Sequence, residues 1–209
     1  ALFISIYYFI FMEKESIILI PTLNERENLE QLIPAIFNLM PEISVLIVDD
    51  DSRDGTGELV KNLQNIHANL FLLKRTENFG YGKACIDGFK YLEVELPSKR
   101  YIVTMDADFS HDYRTIPEIL KQLDKYDVVI GSRYIAGGRI ENWKLHRRIL
   151  SKLANFYVRT ILGLRVGDLT TGFNAYKKDV LSRINLDNLK SDGYAFLVEL
   201  KYKLYKAGV

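Results

Sequence analysis

The sequence predicts an α/β fold in which a mainly parallel central sheet carries helices on both faces. Several short apolar runs lack the polar alternation of half-exposed strands, as expected when both faces of a sheet are covered. Segments with apolar residues at helical spacing separate these runs, and such alternation builds parallel sheets with right-handed crossovers. The 209 residues are 48% hydrophobic, which suits one domain with a substantial core.

Five strands are predicted in chain order. They are SIILIPT (16–22), VLIVDD (45–50), LFLLKR (70–75), YIVTMDAD (101–108) and VVIGSR (128–133). In a parallel sheet the carboxyl ends of the strands share one edge, where ligands bind in open α/β folds. The polar clusters at that edge are PTLNE, DDDSRD, NFGYGK, DADFSH and GSRY, whereas the opposite connections resemble ordinary turns. This asymmetry predicts a catalytic or binding cleft at the carboxyl edge.

The connecting helices are predicted from stripes of apolar residues spaced three and four apart. The first stripe comprises Leu29, Leu32, Ile33, Ile36 and Phe37, and the second comprises Leu59, Leu63 and Ile66. Pro34 should kink or shorten the first helix, and Ser52 and Asp54 are candidate caps of the second. Two further helices are expected at residues 83–93 and 115–126.

The alternation of strands and helices stops after residue 133. Residues 146–163 predict a helix with apolar and basic faces, which would lie against membrane head groups or pack in the protein core. A last helix is expected in SDGYAFLVELKYKLYKAG, ending at Gly208. Residues 1–12 are apolar but shorter than the roughly 20 residues that span a bilayer. We expect them to be an extension outside a single domain of residues 13–209.

Charge and cysteine content narrow the function classes. The 28 basic and 27 acidic residues nearly balance, which argues against a general nucleic-acid binder. Cys85 is the only cysteine, so no intramolecular disulfide forms and a reducing, cytoplasmic compartment is favoured.

Two aspartates end the fourth predicted strand. Asp106 and Asp108 are two residues apart, so on an extended strand their side chains point the same way. Neighbouring carboxylates repel unless a proton or a cation lies between them. Mg²⁺ prefers oxygen ligands and leaves positions for substrate phosphates, so the pair predicts a metal site. The alternative is an ordinary pair of turn or capping aspartates.

Three aspartates, Asp49, Asp50 and Asp51, follow the second predicted strand. Carboxylates at this position accept hydrogen bonds from a ribose or a base in nucleotide-binding folds, and they also cap helices. The segment NFGYGK lacks the full glycine spacing of a dinucleotide-binding loop. A close-packed turn before a helix is therefore the favoured interpretation there.

Basic and hydroxyl side chains later in the chain predict an anion site. Arg147 and Ser151 are four residues apart and share a helix face, and Arg133 ends the fifth predicted strand. Guanidinium groups bind phosphate oxygens in a bidentate manner, which suits a second anionic group. His111 could be an acid, a ligand or a turn residue, and the turn role is favoured because the sequence shows no partner for it.

Seven segments together resemble the dolichol-phosphate or polyprenol-phosphate mannosyltransferases, inverting glycosyltransferases of family 2 with a GT-A fold. They are IPTLNERENL, IVDDDSRDGTG, MDADFSHD, GSRYIAGGRIENW, RRILSKLAN, GDLTTGF and GYAFLVEL. The similarity runs from Ser16 to Gly208. Its first half indicates a nucleotide-sugar glycosyltransferase. A lipid-phosphate acceptor is indicated by the stretch from GSRYIAGGRIENW to RRILSK together with DLTTGF. Family members usually continue further, so the chain is expected to be truncated at its C-terminus.

The resemblance implies roles for individual residues. The nucleotide-binding positions would be Pro21, Leu23, Glu25, Val48 and Asp50. The positions around the metal, Mg²⁺ or Mn²⁺, and the diphosphate would be Asp106, Ala107, Asp108 and Ser110. The phosphate-binding positions at the transfer centre would be Arg133, Arg147 and Ser151, with Asp168 as a further candidate.

The activity implied is inverting, metal-dependent transfer of mannose from GDP-mannose to a polyprenyl phosphate lipid. The protein would work peripherally at the cytoplasmic side of a membrane surface, with or without a separate anchor subunit. No general base is needed, because a phosphate monoester is already anionic near neutral pH.

Three alternatives are weighed against this activity. UDP-glucose is the closest alternative donor. A D-x-D phosphatase would use Asp106 as nucleophile and Asp108 as acid, but such sites follow the first strand of their fold. A non-catalytic binding module is the third alternative.

Overall fold

A computed structural model describes residues 10–77, 79–132, 160–164 and 166–209. Its six strands are β1 (Ser16–Thr22), β2 (Ser44–Asp49), β3 (Leu70–Lys74), β4 (Tyr101–Thr104), β5 (Val128–Ile130) and β6 (Asn174–Lys177). Its helices are α1 (Arg26–Leu39), α2 (Thr56–Gln64), α3 (Tyr81–Val94), α4 (Ile116–Gln122), α5 (Lys178–Leu181) and α6 (Gly193–Lys206). Short 3₁₀ turns occupy Tyr113–Thr115 and Leu186–Asn188.

The strands form one sheet in the order β3-β2-β1-β4-β6-β5. Strands β1 to β4 pair in parallel, and β6 pairs antiparallel with both β4 and β5. The predicted mainly parallel sheet is confirmed, whereas β6 was not anticipated. Its four residues, NAYK, contain no apolar run that would mark a strand, and only the pairing with two neighbours identifies it.

Apolar side chains of β1 alternate between two cores, one on each face of the sheet. Ile18 and Ile20 belong to the core beneath α1, α2 and α4, while Ile17 and Leu19 belong to the core beneath α3, α5 and α6. All four side chains are fully buried. This two-sided burial explains why the strand reads as an uninterrupted apolar run.

The helices depart from expectation in local detail. The first stripe is buried as predicted, but α1 continues through Pro34 to Leu39 and is not shortened. In α2 the buried residues are Thr56 and Val60, and Ile66 is 74% exposed, so the second stripe is wrong at that position. The predicted third and fourth helices correspond to α3 and α4.

Residues near the two ends of the described chain, Met12 and Gly208, have defined environments. Met12, placed by the sequence in an extension, is 1% exposed and lies in the first core. Gly208 follows the end of α6 with φ +84°, as expected of a C-terminal glycine. Within the described ranges, no helix combines the length and apolar character needed to cross a bilayer.

Candidate active site at the carboxyl edge of the sheet

The candidate site lies where the chain leaves the carboxyl ends of β1, β2 and β4. The sheet order reverses between β1 and β4, because β2 and β3 extend to one side of β1 and β4 to the other. Ligands bind at such switch points in open α/β sheets. The antiparallel β6 begins at this same edge, so the loop before it, residues 168–173, also reaches the site.

The two predicted metal-binding aspartates lie in a loop and not on an extended strand. Strand β4 ends at Thr104, because the backbone N–H of Asp106 donates to His111 Nδ1 (3.0 Å) and leaves the strand ladder. The backbone N–H of Ser110 donates to Asp108 Oδ1 (3.0 Å), and Phe109 has φ +59°. These contacts form a tight turn, which corrects the predicted strand of residues 101–108.

His111 shapes this turn. Its Nδ1 accepts the hydrogen bond from Asp106, so it carries no proton in this arrangement, and its ring stacks on Phe173 with centroids 5.2 Å apart. Asp106 Oδ2 lies 3.7 Å from the same nitrogen. His111 therefore acts as a turn residue, because its imidazole accepts the hydrogen bond that the backbone N–H of Asp106 would otherwise give to a neighbouring strand.

The carboxylates suit a hard divalent cation. The side chain of Asp106 is 39% exposed and Asp108 is exposed, so a ligand reaches both. Among the described residues no group of three or more His, Cys, Asp or Glu side chains forms a complete metal site. A pair of carboxylates with the remaining positions left to phosphate oxygens and water is the usual environment of Mg²⁺.

Ala107 and Ser110 complete the D-x-D turn. Ala107 is buried beneath it and Ser110 is exposed at its end. The structure therefore brings all four predicted metal and diphosphate positions into one loop.

The three aspartates at the end of β2 differ in their environment within the protein. Asp50 forms a buried ion pair with Arg75 and accepts a hydrogen bond from the backbone N–H of Gly80 (2.8 Å). Asp49 is fully buried, and Asp51 pairs with Lys74 at the surface (3.0 Å). These pairings were not apparent from the sequence, because Arg75 is 25 residues from Asp50.

Neither predicted cap residue is the N-cap of α2, which is Gly55 in the left-handed conformation, but Asp54 connects the first residues of α1 and α2. Asp54 accepts hydrogen bonds from Thr56, through its backbone N–H (3.0 Å) and its hydroxyl, and from the backbone N–H of Arg26 (3.0 Å). Burial alone would raise the pKa of Asp54, but these hydrogen bonds outweigh it and lower the pKa. Ser52 instead accepts from the backbone N–H of Asn24 (2.8 Å).

The described part of NFGYGK, residues 79–83, is a close-packed turn that leads into α3, as the sequence favoured. The backbone N–H of Gly82 donates to Asp192 Oδ1 (2.6 Å), and that of Gly80 donates to Asp50. The start of α3 is therefore closed by two carboxylates of the protein, which argues against a phosphate loop. Gly82 also allows Phe196 to approach, since a Cβ there would lie 2.8 Å from its ring.

The loop of residues 168–173 is anchored by buried polar contacts. Asp168 is fully buried and accepts hydrogen bonds from the backbone and hydroxyl of Thr170 (both 3.2 Å). Lys201 on α6 is 5% exposed and donates to the carbonyls of Leu169 (3.0 Å) and Thr171 (2.8 Å). Sequence reasoning missed Lys201; a lysine among the apolar positions of α6 was the available signal.

The end of β1 supplies the remaining predicted nucleotide-binding positions. Pro21 is half-buried, Leu23 is 58% exposed, and Glu25 accepts a hydrogen bond from the Asn28 amide (2.5 Å). Val48 is fully buried in the second core, below the edge of the sheet.

The predicted phosphate-binding residues Arg133, Arg147 and Ser151 lie outside the described residues, as does most of the predicted amphipathic helix of residues 146–163. Ile161, near its end, is helical and 62% exposed.

The fold is that of a GT-A glycosyltransferase. It has a mostly parallel sheet, helices on both faces and a D-x-D loop at the switch point of the sheet. The model of "Glycosyl transferase family 2" matches residues 17–184, and the chain belongs to this family. The family predicted from the sequence is thereby confirmed.

Two curated relatives cover nearly the whole chain. The polyprenol monophosphomannose synthase of Mycolicibacterium smegmatis is 37% identical over 93% of this chain and 74% of its own length. The undecaprenyl-phosphate mannosyltransferase of Micrococcus luteus is 38% identical over 91% of this chain and 77% of its own length.

A solved structure shares the fold at lower sequence identity. It is glucosyl-3-phosphoglycerate synthase from Mycobacterium tuberculosis in complex with Mn²⁺, UDP and glucosyl-3-phosphoglycerate, with a TM-score of 0.61 and 19% identity. The alignment covers 91% of this chain and 66% of that one.

Proposed function

We propose that this protein transfers mannose from GDP-mannose to a polyprenyl phosphate, with inversion and with a divalent metal. The proposal depends above all on the chain being 37% and 38% identical to two relatives named as mannosyl transferases acting on polyprenol lipids. The accessible D-x-D pair at the ligand edge supports it. A D-x-D phosphatase is disfavoured, because Asp106 follows β4 and the chain belongs to a glycosyltransferase family.

The donor nucleotide would occupy the edge between β1 and β2. Pro21, Leu23 and Glu25 would contact the nucleoside from the loop after β1, with Val48 supporting it from below. Asp50 would contribute as a carboxylate already oriented by Arg75, because a paired carboxylate retains acceptor capacity for a ribose or base donor.

The diphosphate would lie over the D-x-D turn. Asp106 and Asp108 would hold Mg²⁺ or Mn²⁺, with Ser110 beside them, and Ala107 would allow the diphosphate to approach. The bound metal would neutralise negative charge that develops on the departing nucleoside diphosphate. The presence of Mn²⁺ in the structural relative supports this assignment. In this proposal the two carboxylates hold the metal and do not transfer a proton to the leaving group.

The acceptor phosphate would meet the sugar near Arg133, Arg147 and Ser151. Arginine pairs with phosphate bidentately, and these residues would orient one oxygen towards the anomeric carbon. The acceptor's hydrocarbon chain implies peripheral association with a membrane surface, for which residues 146–163 supply the proposed contact. Both relatives are named as mannosyl transferases that act on polyprenyl lipids, which favours mannose over glucose as the transferred sugar.

The test is a radiolabel transfer assay with undecaprenyl phosphate, GDP-mannose or UDP-glucose, and Mn²⁺ or a chelator. We expect mannose transfer that stops with chelator, and a loss of roughly 10²-fold or more in Asp108→Ala, the scale of removing a group that stabilises transition-state charge. Glu118→Ala, an exposed acid on α4, is the matched control and should keep full activity. Undiminished transfer by Asp108→Ala, or transfer of glucose alone, would contradict the proposal.

A further inference from the structure

Tyr81 carries a hydroxyl group that the proposed reaction has not used. Tyr81 is the first residue of α3, and its Oη is buried without a hydrogen bond to any described residue. The thiol of Cys85, a weak hydrogen-bonding group, lies beside it. A buried hydroxyl without a strong hydrogen-bond partner is unfavourable. A hydrogen bond that forms when ligand binds would give this hydroxyl a partner.

Tyr81 Oη and Asp106 Oδ1 both lie close to Gly172. A Cβ placed on Gly172 would lie 2.5 Å from Tyr81 Oη and 3.3 Å from Asp106 Oδ1. The two oxygen atoms therefore approach the same glycine from different parts of the chain, and residue 172 has no room for a side chain between them. Thr104 holds Gly172 at this point, donating from its hydroxyl to the Gly172 carbonyl (2.7 Å).

The ring of Tyr81 is held by packing. It lies edge-on against Phe196 with centroids 6.3 Å apart, and Asp192 accepts a hydrogen bond from the backbone N–H of the adjacent Gly82. The Asp106 side chain is 39% exposed and lies in a loop. A rotation of the Asp106 carboxylate on ligand binding would bring the two groups together. Burial raises the pKa of Tyr81 well above its usual value, so the hydroxyl remains a donor at neutral pH.

We propose that Tyr81 is a positioning residue for the metal site, whose hydroxyl donates to Asp106 Oδ1 when metal and nucleotide bind. This contact would leave the other carboxylate oxygen for the cation and restrict its orientation. The inference rests on the proposed function, because it requires that Asp106 binds a metal. Hydrogen-bonding partners of metal ligands typically change metal affinity by 10–100-fold when they are removed.

The test removes only the hydroxyl, in Tyr81→Phe, and measures Mn²⁺ affinity in the presence of GDP by calorimetry. We expect Mn²⁺ to bind about 10-fold more weakly, GDP without metal to bind as in the wild type, and the melting temperature to stay equal or rise. Tyr91→Phe, on the same helix and partly buried, is the control and should bind Mn²⁺ normally.

The outcomes separate this inference from the proposed function. Wild-type protein that binds no Mn²⁺ with GDP would overturn both. Normal Mn²⁺ affinity in Tyr81→Phe, with a metal-binding wild type, would overturn the role of Tyr81 alone. An equal loss of metal-free GDP binding would also overturn it, because the effect would then be a general disturbance of the nucleotide edge.

Discussion

Removing the guanidinium of Arg75 should destabilise the fold far more than removing the neighbouring lysine charge. The side chain of Arg75 is 3% exposed and that of its partner Asp50 is 7% exposed, so water cannot replace a lost partner. Arg75 also donates from Nε to Asp87 (2.8 Å), whose side chain is 45% exposed. Burial alone would lower the pKa of Arg75, but the two carboxylates outweigh it and raise the pKa.

The expected magnitude follows from the burial of Asp50. In Arg75→Met, Asp50 keeps the hydrogen bond from the backbone N–H of Gly80 but becomes a buried charge without its cation. Breaking a buried pair from one side costs about 3–5 kcal/mol. For a domain of this size that loss corresponds to a decrease in Tm of roughly 6–20 °C.

The assay is urea unfolding followed by circular dichroism, with the free energy extrapolated to water. Lys74→Met is the control, because the Lys74–Asp51 pair is exposed and should contribute no measurable stability. The double variant Arg75→Met, Asp50→Asn should recover part of the loss, since it removes the unpaired charge. Equal stability of Arg75→Met and Lys74→Met would refute the reasoning.

Two further predictions concern the site and its supporting turns. Gly172→Ala should lower mannose transfer by roughly 10²-fold, because the new methyl group would force Tyr81 or Asp106 from its place. Steady-state kinetics at saturating Mn²⁺ would measure this decrease. Full activity of the variant would contradict it. Asp54→Ala should lower the free energy of unfolding by about 1 kcal/mol, because it removes the hydrogen bonds from Thr56 and Arg26. The pKa of Asp54 is lowered in the fold, so this stabilisation is present above the unfolded pKa of about 4 and is lost as pH falls through the folded pKa. A stability difference between Asp54→Ala and the wild type that widens in acid would contradict this sign.

The candidate site was predictable from the sequence where it depends on the ends of strands. The D-x-D pair follows the apolar run of β4, and the acids follow that of β2, so their place at the carboxyl edge needed only the strand pattern. The contacts that orient them were not predictable. Asp50 is oriented by Arg75, 25 residues later in the chain, and no local pattern marks such a pairing.

The alternative left open for NFGYGK was decided by contacts between distant segments. Residues 79–83 of this motif are a close-packed turn that leads into α3, because Asp50 and Asp192 occupy the backbone N–H groups that a phosphate would need. DLTTGF requires its glycine because Tyr81 and Asp106 approach that position from two other parts of the chain. In both cases the reason for the glycine lies outside the motif.

The sequence by itself determined the parallel core, because a strand covered on both faces must be apolar at every position and so carries a local signal. It also determined which kinds of side chain lie at the carboxyl edge of the sheet, since the residues after β1, β2 and β4 directly follow those strands in the chain. Only the tertiary structure decided the antiparallel β6, the Arg75–Asp50 pair and the approach of Tyr81 to Asp106. These depend on which distant segments become neighbours, and that is set by the packing of the whole domain.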